Sequence, residues 1–182
     1  MQHNRQLFLK TPQVDLVLID EGDSEIITSW FNNPEVTDYL ARGAHPMTLA
    51  YEREFLKNVY KGGDRFMLGI YHKGDNRLIG ITGLHQLHEL NQTAVYGVCI
   101  GEKEYWGKGI GTEVLTAVLE YAFKRRNLRN VTLCVLGNNP RGRRCYEKCG
   151  FVLVGTYPKH VFKNGMWHDE HLMIVRNPNQ SS

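Results

Sequence analysis

The sequence predicts a mixed α/β domain built on a largely antiparallel sheet with helices on its flanks. Three observations carry that prediction. Apolar runs at 66–71 and 78–84 flank Lys73-Gly74-Asp75-Asn76, and a second pair at 151–162 and 166–175 flanks Asn164-Gly165, so two hairpins are written into the chain. A glycine-rich turn leads into an amphipathic stretch at about 109–126, with Val114, Leu115, Val118 and Ala122 on one face. At 182 residues, with 42% hydrophobic and 23% charged residues, the chain has the size and composition of one ordinary globular domain.

The elements follow in order. Val14, Leu16 and Leu18 mark a short strand, then a helix covers 24–31 and stops near Asn32-Asn33-Pro34. Pro46-Met47-Thr48 opens a second helix with Thr48 as its cap and Tyr51, Phe55, Leu56 and Val59 as its apolar stripe. Strands at 66–71, 78–84 and 93–100 come next, then the long helix and a short strand at 131–136. Pro140 suits the first position of a helix that runs to Lys148, with Gly150 closing it before the last hairpin. No repeat and no linker divides the chain, so one domain spans 1–182, with a core of about 14–175 between short flexible termini.

Several classes drop out. No apolar run nears the roughly 18 residues of a membrane helix, and Met1-Gln2-His3-Asn4-Arg5 starts no signal peptide. A soluble, cytoplasmic protein is expected. Four scattered cysteines make neither a disulfide framework nor a CxxC pair. Cys99, Cys134, Cys145 and Cys149 are expected to be small buried residues. The net charge of +3 conceals a basic segment, since 103–148 holds ten Lys/Arg against four Asp/Glu. Such a field favours an anionic partner. Nucleic acid is not expected, because no aromatic residues interleave the basic ones.

The run Tyr105-Trp106-Gly107-Lys108-Gly109-Ile110-Gly111-Thr112 joins a strand to a helix. Small residues there let the backbone approach a ligand, and the free amides of the helix start point at an anion, a pyrophosphate above all. A Walker A loop requires Ser or Thr after its Gly-Lys, and Lys108 is followed by Gly109. A dinucleotide fingerprint requires an acidic residue ending the next strand, where this chain has Leu136-Gly137-Asn138-Asn139.

Trp106 through Gly111 resembles the acyl-CoA pyrophosphate loop of the GNAT superfamily of N-acetyltransferases, Arg/Gln-x-x-Gly-x-Gly/Ala, with Trp106 at the Arg/Gln position. Asn139-Pro140-Arg141-Gly142-Arg143-Arg144-Cys145-Tyr146-Glu147-Lys148-Cys149-Gly150-Phe151 is similar to that family's Asn-x-x-Ala-x-x-x-Tyr-Glu-Lys-x-Gly-Phe stretch, with Gly142 for Ala. Trp30-Phe31-Asn32-Asn33-Pro34-Glu35-Val36 and Phe162-Lys163-Asn164-Gly165-Met166-Trp167-His168-Asp169 extend the likeness toward ribosomal-protein and polyamine acetyltransferases.

The resemblance implies a GNAT fold with two splayed middle strands, the ones ending at Ile100 and starting at Val131. It implies acetyl-CoA as cosubstrate, no metal, and direct attack of a primary amine on the thioester through a tetrahedral intermediate. Cys99 and Ile100 would pair with the pantetheine arm, Trp106, Gly107, Lys108, Gly109, Ile110, Gly111 and Thr112 would cradle the pyrophosphate, and Asn139 would bind the arm. Tyr146 would protonate the departing thiolate and border the cofactor. Arg141, Arg143 and Arg144 sit at a predicted helix start, which suits a nearby phosphate or plain solvation.

Where relatives often place a glutamate base, this chain has Val95 and Cys134; His85, Glu89 or a water relay are the candidates. The paired histidines of His85-Gln86-Leu87-His88 and His168-Asp169-Glu170-His171 point to opposite strand faces and form no metal bite. The acceptor is expected to be a small amine or polyamine, held by Glu21, Asp23, Glu25, Glu35 and Asp38. A protein N-terminus and a non-catalytic acyl-CoA-binding module are the alternatives. The oligomeric state, a homodimer included, is left open.

Overall fold

The computed structural model describes residues 5–40 and 45–180. Met1 to Asn4, part of the leading segment considered above, lie outside it, as do the last two residues. Along the chain run β1 (Leu7–Lys10), β2 (Val14–Val17), α1 (Ser24–Phe31), α2 (Pro34–Thr37), α3 (Leu49–Asn58), β3 (Phe66–His72), β4 (Arg77–His88) and β5 (Thr93–Ile100). Then come α4 (Ile110–Lys124), β6 (Asn130–Leu136), α5 (Pro140–Lys148), β7 (Val152–Lys163) and β8 (Met166–Arg176). The strands form one eight-stranded sheet in the order β1-β2-β3-β4-β5-β6-β8-β7. Every neighbouring pair is antiparallel except β5 with β6, which the α4 crossover makes parallel. The expected mixed α/β class and GNAT fold hold.

Alternation along the strands splits the core into two layers. Leu68, Ile70, Leu84, Tyr96, Leu133 and Met173 meet Val114, Leu115 and Val118 of α4 on one face. Ile81 and Cys99 meet Ile27 and Trp30 of α1 and Leu56 of α3 on the other. Burial of α4's stripe is what holds this helix, since water-exposed propensity alone stabilises little.

Caps set several boundaries. The Thr48 side chain accepts from the Tyr51 amide at 3.2 Å, as expected. Asn33 accepts from the Glu35 amide at 3.0 Å, so Asn33-Pro34 both ends α1 and starts α2, a short helix the sequence reading left out. Cys149 closes α5, and Gly150 follows it with φ +88° rather than closing the helix itself. Leu7–Lys10 adds an edge strand before the expected start of the core. At the other end Asn164 (φ 50°) and Gly165 (φ 77°) make the tight turn between β7 and β8. The tip of that hairpin reaches back to α2: the Lys163 ammonium donates to the carbonyls of Thr37 and Leu40, and Asn164 Nδ2 donates to Asp38 at 3.0 Å.

The sheet opens in the middle. β5 pairs with β6 only from Thr93 to Val95 against Asn130 to Thr132. Beyond Val95 the two strands part, while β5 stays paired to β4 as far as Ile100 and β6 stays paired to β8 as far as Leu136. This is the expected splay.

Candidate active site

The gap between β5 and β6 is closed below by the starts of α4 and α5. Gly107 and Gly109 take φ values of 77° and 84°, a region L-residues rarely adopt, and a Cβ at either would point into open space. α4 begins at Ile110 with no side-chain cap, so its first amides are turned toward whatever fills the gap. A pocket of about 340 Å³ lies there. Its lining includes Cys99, Ile100, Trp106, Gly107, Gly109, Gly111, Thr112, Asn139 and Tyr146. Lys108 and Ile110 contribute no side chain to it: the Lys108 ammonium rests 5.3 Å from the Tyr105 ring centre, and Ile110 is buried in the core.

Trp106 bridges two elements. Its indole donates to the Ile100 carbonyl at 2.8 Å, and its ring carries the Arg141 guanidinium 4.2 Å from its centre. Tyr39 flanks the same guanidinium at 5.6 Å. Arg141 is thereby held over the pocket by cation–π contacts. Arg144 and Lys148 line the pocket as well, whereas Arg143 turns outward and pairs with Glu147 at 2.8 Å. A phosphate-sized anion at α4's N-terminus would meet both the helix dipole and this positive rim.

On α5, Asn139 Oδ1 accepts from the Gly142 amide at 2.8 Å. The folded-back Asn139 side chain occupies the place where a Cβ on residue 142 would stand, 2.7 Å from Nδ2, and this accounts for glycine there. Two turns on, Tyr146 is half-buried, 6.1 Å from Phe151 ring to ring. Burial, with a smaller contribution from Cys145, pushes its phenol well above the usual tyrosine range. Thr112 Oγ1 and Cys145 Sγ lie 3.4 Å apart, joining α4 to α5 beside it.

A second pocket, of about 520 Å³, adjoins the first; Leu40, Val98 and Cys99 line both. Its walls come from α1, α3, β3, β4 and β5 and the segments that join them. His85 lies on its rim beside Gly97, and partial desolvation together with the Arg65 charge lowers its pKa, Asp64 opposing. It is therefore neutral at neutral pH.

Other expected residues are not brought here. Glu89 stands exposed in the β4–β5 turn, in a separate hollow with His88 and Gln92. Glu21, Asp23, Glu25, Glu35 and Asp38 line neither pocket, so the expected acidic acceptor cage does not assemble. Asp23 is bound by Arg5 at 2.6 Å, Glu25 faces Arg53 at 3.6 Å, Glu35 pairs with Lys103 and Asp38 accepts from Asn164. Of the cysteines, Cys99 is buried, Cys145 and Cys149 are half-buried, and Cys134 is exposed, because Leu133 and Val135 on either side of it take the core face. Among the described residues no three His, Cys, Asp or Glu side chains gather to hold a metal, and no helix is long and apolar enough to cross a membrane.

Known proteins resemble this chain in sequence and in fold. A family model described as an acetyltransferase (GNAT) domain matches residues 13–152. A probable N-acetyltransferase of Bacillus subtilis is 32% identical over 141 residues, 77% of this chain and 75% of its own. The crystal structure of spermidine N-acetyltransferase from Vibrio cholerae in complex with CoA and spermine superposes with a TM-score of 0.82 at 25% identity, covering 91% of this chain and 96% of that one. Ribosomal-protein-S5-alanine acetyltransferase from Vibrio fischeri shares the fold, with a TM-score of 0.82 at 20% identity over 96% and 98% of the two chains.

Proposed function

This chain belongs to the GNAT acetyltransferase family, and we propose that it transfers the acetyl group of acetyl-CoA to the primary amine of a small molecule by direct attack. One observation carries the proposal: the pocket bordered by the glycine turn and Tyr146 meets a second pocket at Leu40, Val98 and Cys99, so a thioester and an amine can be held face to face. That arrangement replaces a two-body collision by an oriented encounter, the largest rate advantage available to such a site.

The residues fit the cosubstrate. The backbone of Gly107 to Thr112 and the start of α4 suit a pyrophosphate, with Arg141 and Arg144 adding charge. The edge of β5 that parts from β6 beyond Val95 suits the amide-bearing arm, as an added strand would. Asn139 serves both as helix cap and as arm ligand, since the cap uses Oδ1 and leaves the Nδ2 donor. The Trp106 indole holds the Ile100 carbonyl, and a backbone amide near Ile100 is the donor that would stabilise the oxyanion.

In the transfer the amine nitrogen adds to the acetyl carbon to give the tetrahedral intermediate, which collapses with cleavage of the carbon–sulfur bond. Tyr146 gives its proton to the leaving sulfur, and its raised pKa keeps that proton available. The second proton that the nitrogen sheds restores the Tyr146 phenol. The incoming ammonium first loses a proton to neutral His85 or to water beside it.

The test is thiol release from acetyl-CoA with a panel of amines, with the acetylated product identified by mass. Release that needs both partners is expected. A chain that binds acetyl-CoA yet releases no thiol with any amine would be a binding module, and the proposal would fall.

A further inference from the structure

The second pocket constrains which amine enters. Phe31, Met47, Tyr51, Phe55 and Met67 make its walls largely apolar. Tyr51 and Phe55 stand four residues apart on α3 and so share one helix face as an aromatic strip. At the mouth Arg65 pairs with Asp64 at 3.1 Å, and its guanidinium lies 5.9 Å from the Phe55 ring centre. Glu52, buried in the wall, is the other acid among the described lining residues.

A polycation would carry several charges past Arg65 into apolar walls and lose its hydration there, where Asp64 is already held by Arg65 and Glu52 already has its own partner. A peptide would bury N–H and C=O groups that need partners. The Thr82 hydroxyl already donates to the Gly97 carbonyl at 3.1 Å and lies 3.2 Å from the Tyr96 hydroxyl. One ammonium on an aromatic body bears the charge cost once and carries no peptide groups, and aromatic walls reward its ring with ring contacts.

We infer that the acceptor is an arylalkylamine, its ring against Tyr51 and Phe55 and its nitrogen at the Val98–Cys99 junction. The inference rests on the transfer proposed above and narrows it. The body points away from the cosubstrate pocket, so chain length between ring and nitrogen is selected as well.

The experiment compares kcat/KM for phenethylamine, spermidine, methylamine and an alanyl peptide by thiol release. Phenethylamine is expected to exceed spermidine and the peptide by at least about tenfold. Tyr51 is 61% exposed, so Tyr51→Ala leaves the fold intact. It should lower kcat/KM for phenethylamine roughly tenfold through KM and leave methylamine unchanged. Preference for spermidine or peptide, or equal effects of Tyr51→Ala on phenethylamine and methylamine, overturns the inference. If no amine releases thiol, the transfer itself fails. Calorimetric titration of the CoA-saturated chain then judges the pocket alone: tighter binding of phenethylamine than spermidine, weakened in Tyr51→Ala, upholds the inference, and any other ranking overturns it.

Discussion

A single phenol and a single imidazole divide the proton traffic of the proposed reaction. Tyr146 is desolvated and stays protonated far above neutral pH. Tyr146→Phe keeps the ring against Phe151 and removes only the proton. It should lower kcat by about 10²-fold or more while the acetyl-CoA dissociation constant stays within a factor of two or so; unchanged turnover would end the acid role. His85 is lowered by desolvation and by Arg65, so its imidazole is neutral above the ordinary histidine range and gains a proton only at lower pH. The kcat/KM profile should therefore fall on its acid side at a pH below the ordinary histidine value, and His85→Gln should remove that limb. A limb that survives would assign the proton to water. The place of Tyr146 at the pocket was legible in the sequence because a motif surrounds it. The choice of His85 over Glu89 was not, since it depends on a turn that carries Glu89 away from Gly97 and on the position of Arg65 across the groove.

At the scale of elements, the turn before α4 and the cap before α5 were both readable, because glycines at positive φ and an Asn-Pro pair act locally. Gly109→Val would force a branched side chain into φ near 84° at the helix start. A cost of about 1–2 kcal/mol is expected from the conformation alone, seen as a fall of several degrees in melting temperature. Acetyl-CoA affinity should drop more than about tenfold as the amides lose their alignment. Retained affinity would remove the glycine turn from the site. Less legible were β1 and α2. β1 is an edge strand with little buried, so its alternation carries almost no hydrophobic signal. α2 is one turn long, and its Asn33-Pro34 start reads equally well as a stop for α1. The acids of 21–38 looked like a cage in the sequence because their number was visible and their partners were not: Arg5, Arg53, Lys103 and Asn164 come from elsewhere in the chain.

Across the whole molecule, distant segments are tied by few polar groups. Glu113 of α4 accepts from the Thr11 hydroxyl, from the Gln13 amide and side chain at 2.7 Å each, and from the Val14 amide at 3.3 Å, joining the first hairpin to the central helix. Burial raises its pKa, but these hydrogen bonds outweigh burial and the net shift is downward. A depressed carboxyl pKa contributes stability that is complete above its unfolded value of about 4.3 and is lost as pH falls through the folded value. Glu113→Gln should therefore cost about 1–2 kcal/mol at neutral pH and flatten the acid side of a urea-unfolding profile; an unaltered profile would deny the link. Such a tie is invisible in the sequence, because the partners lie about a hundred positions apart.

The clasp between the last hairpin and α2 has a consequence for the far end of the chain. Lys163 and Asn164 hold the stretch from Thr37 to Leu40, and Tyr39 and Leu40 form part of the roof over the two chambers. Proteolysis inside β7 would spare the glycine turn and Tyr146 while untethering that roof, so occupancy of the chambers and resistance to clipping of the tail should rise and fall together.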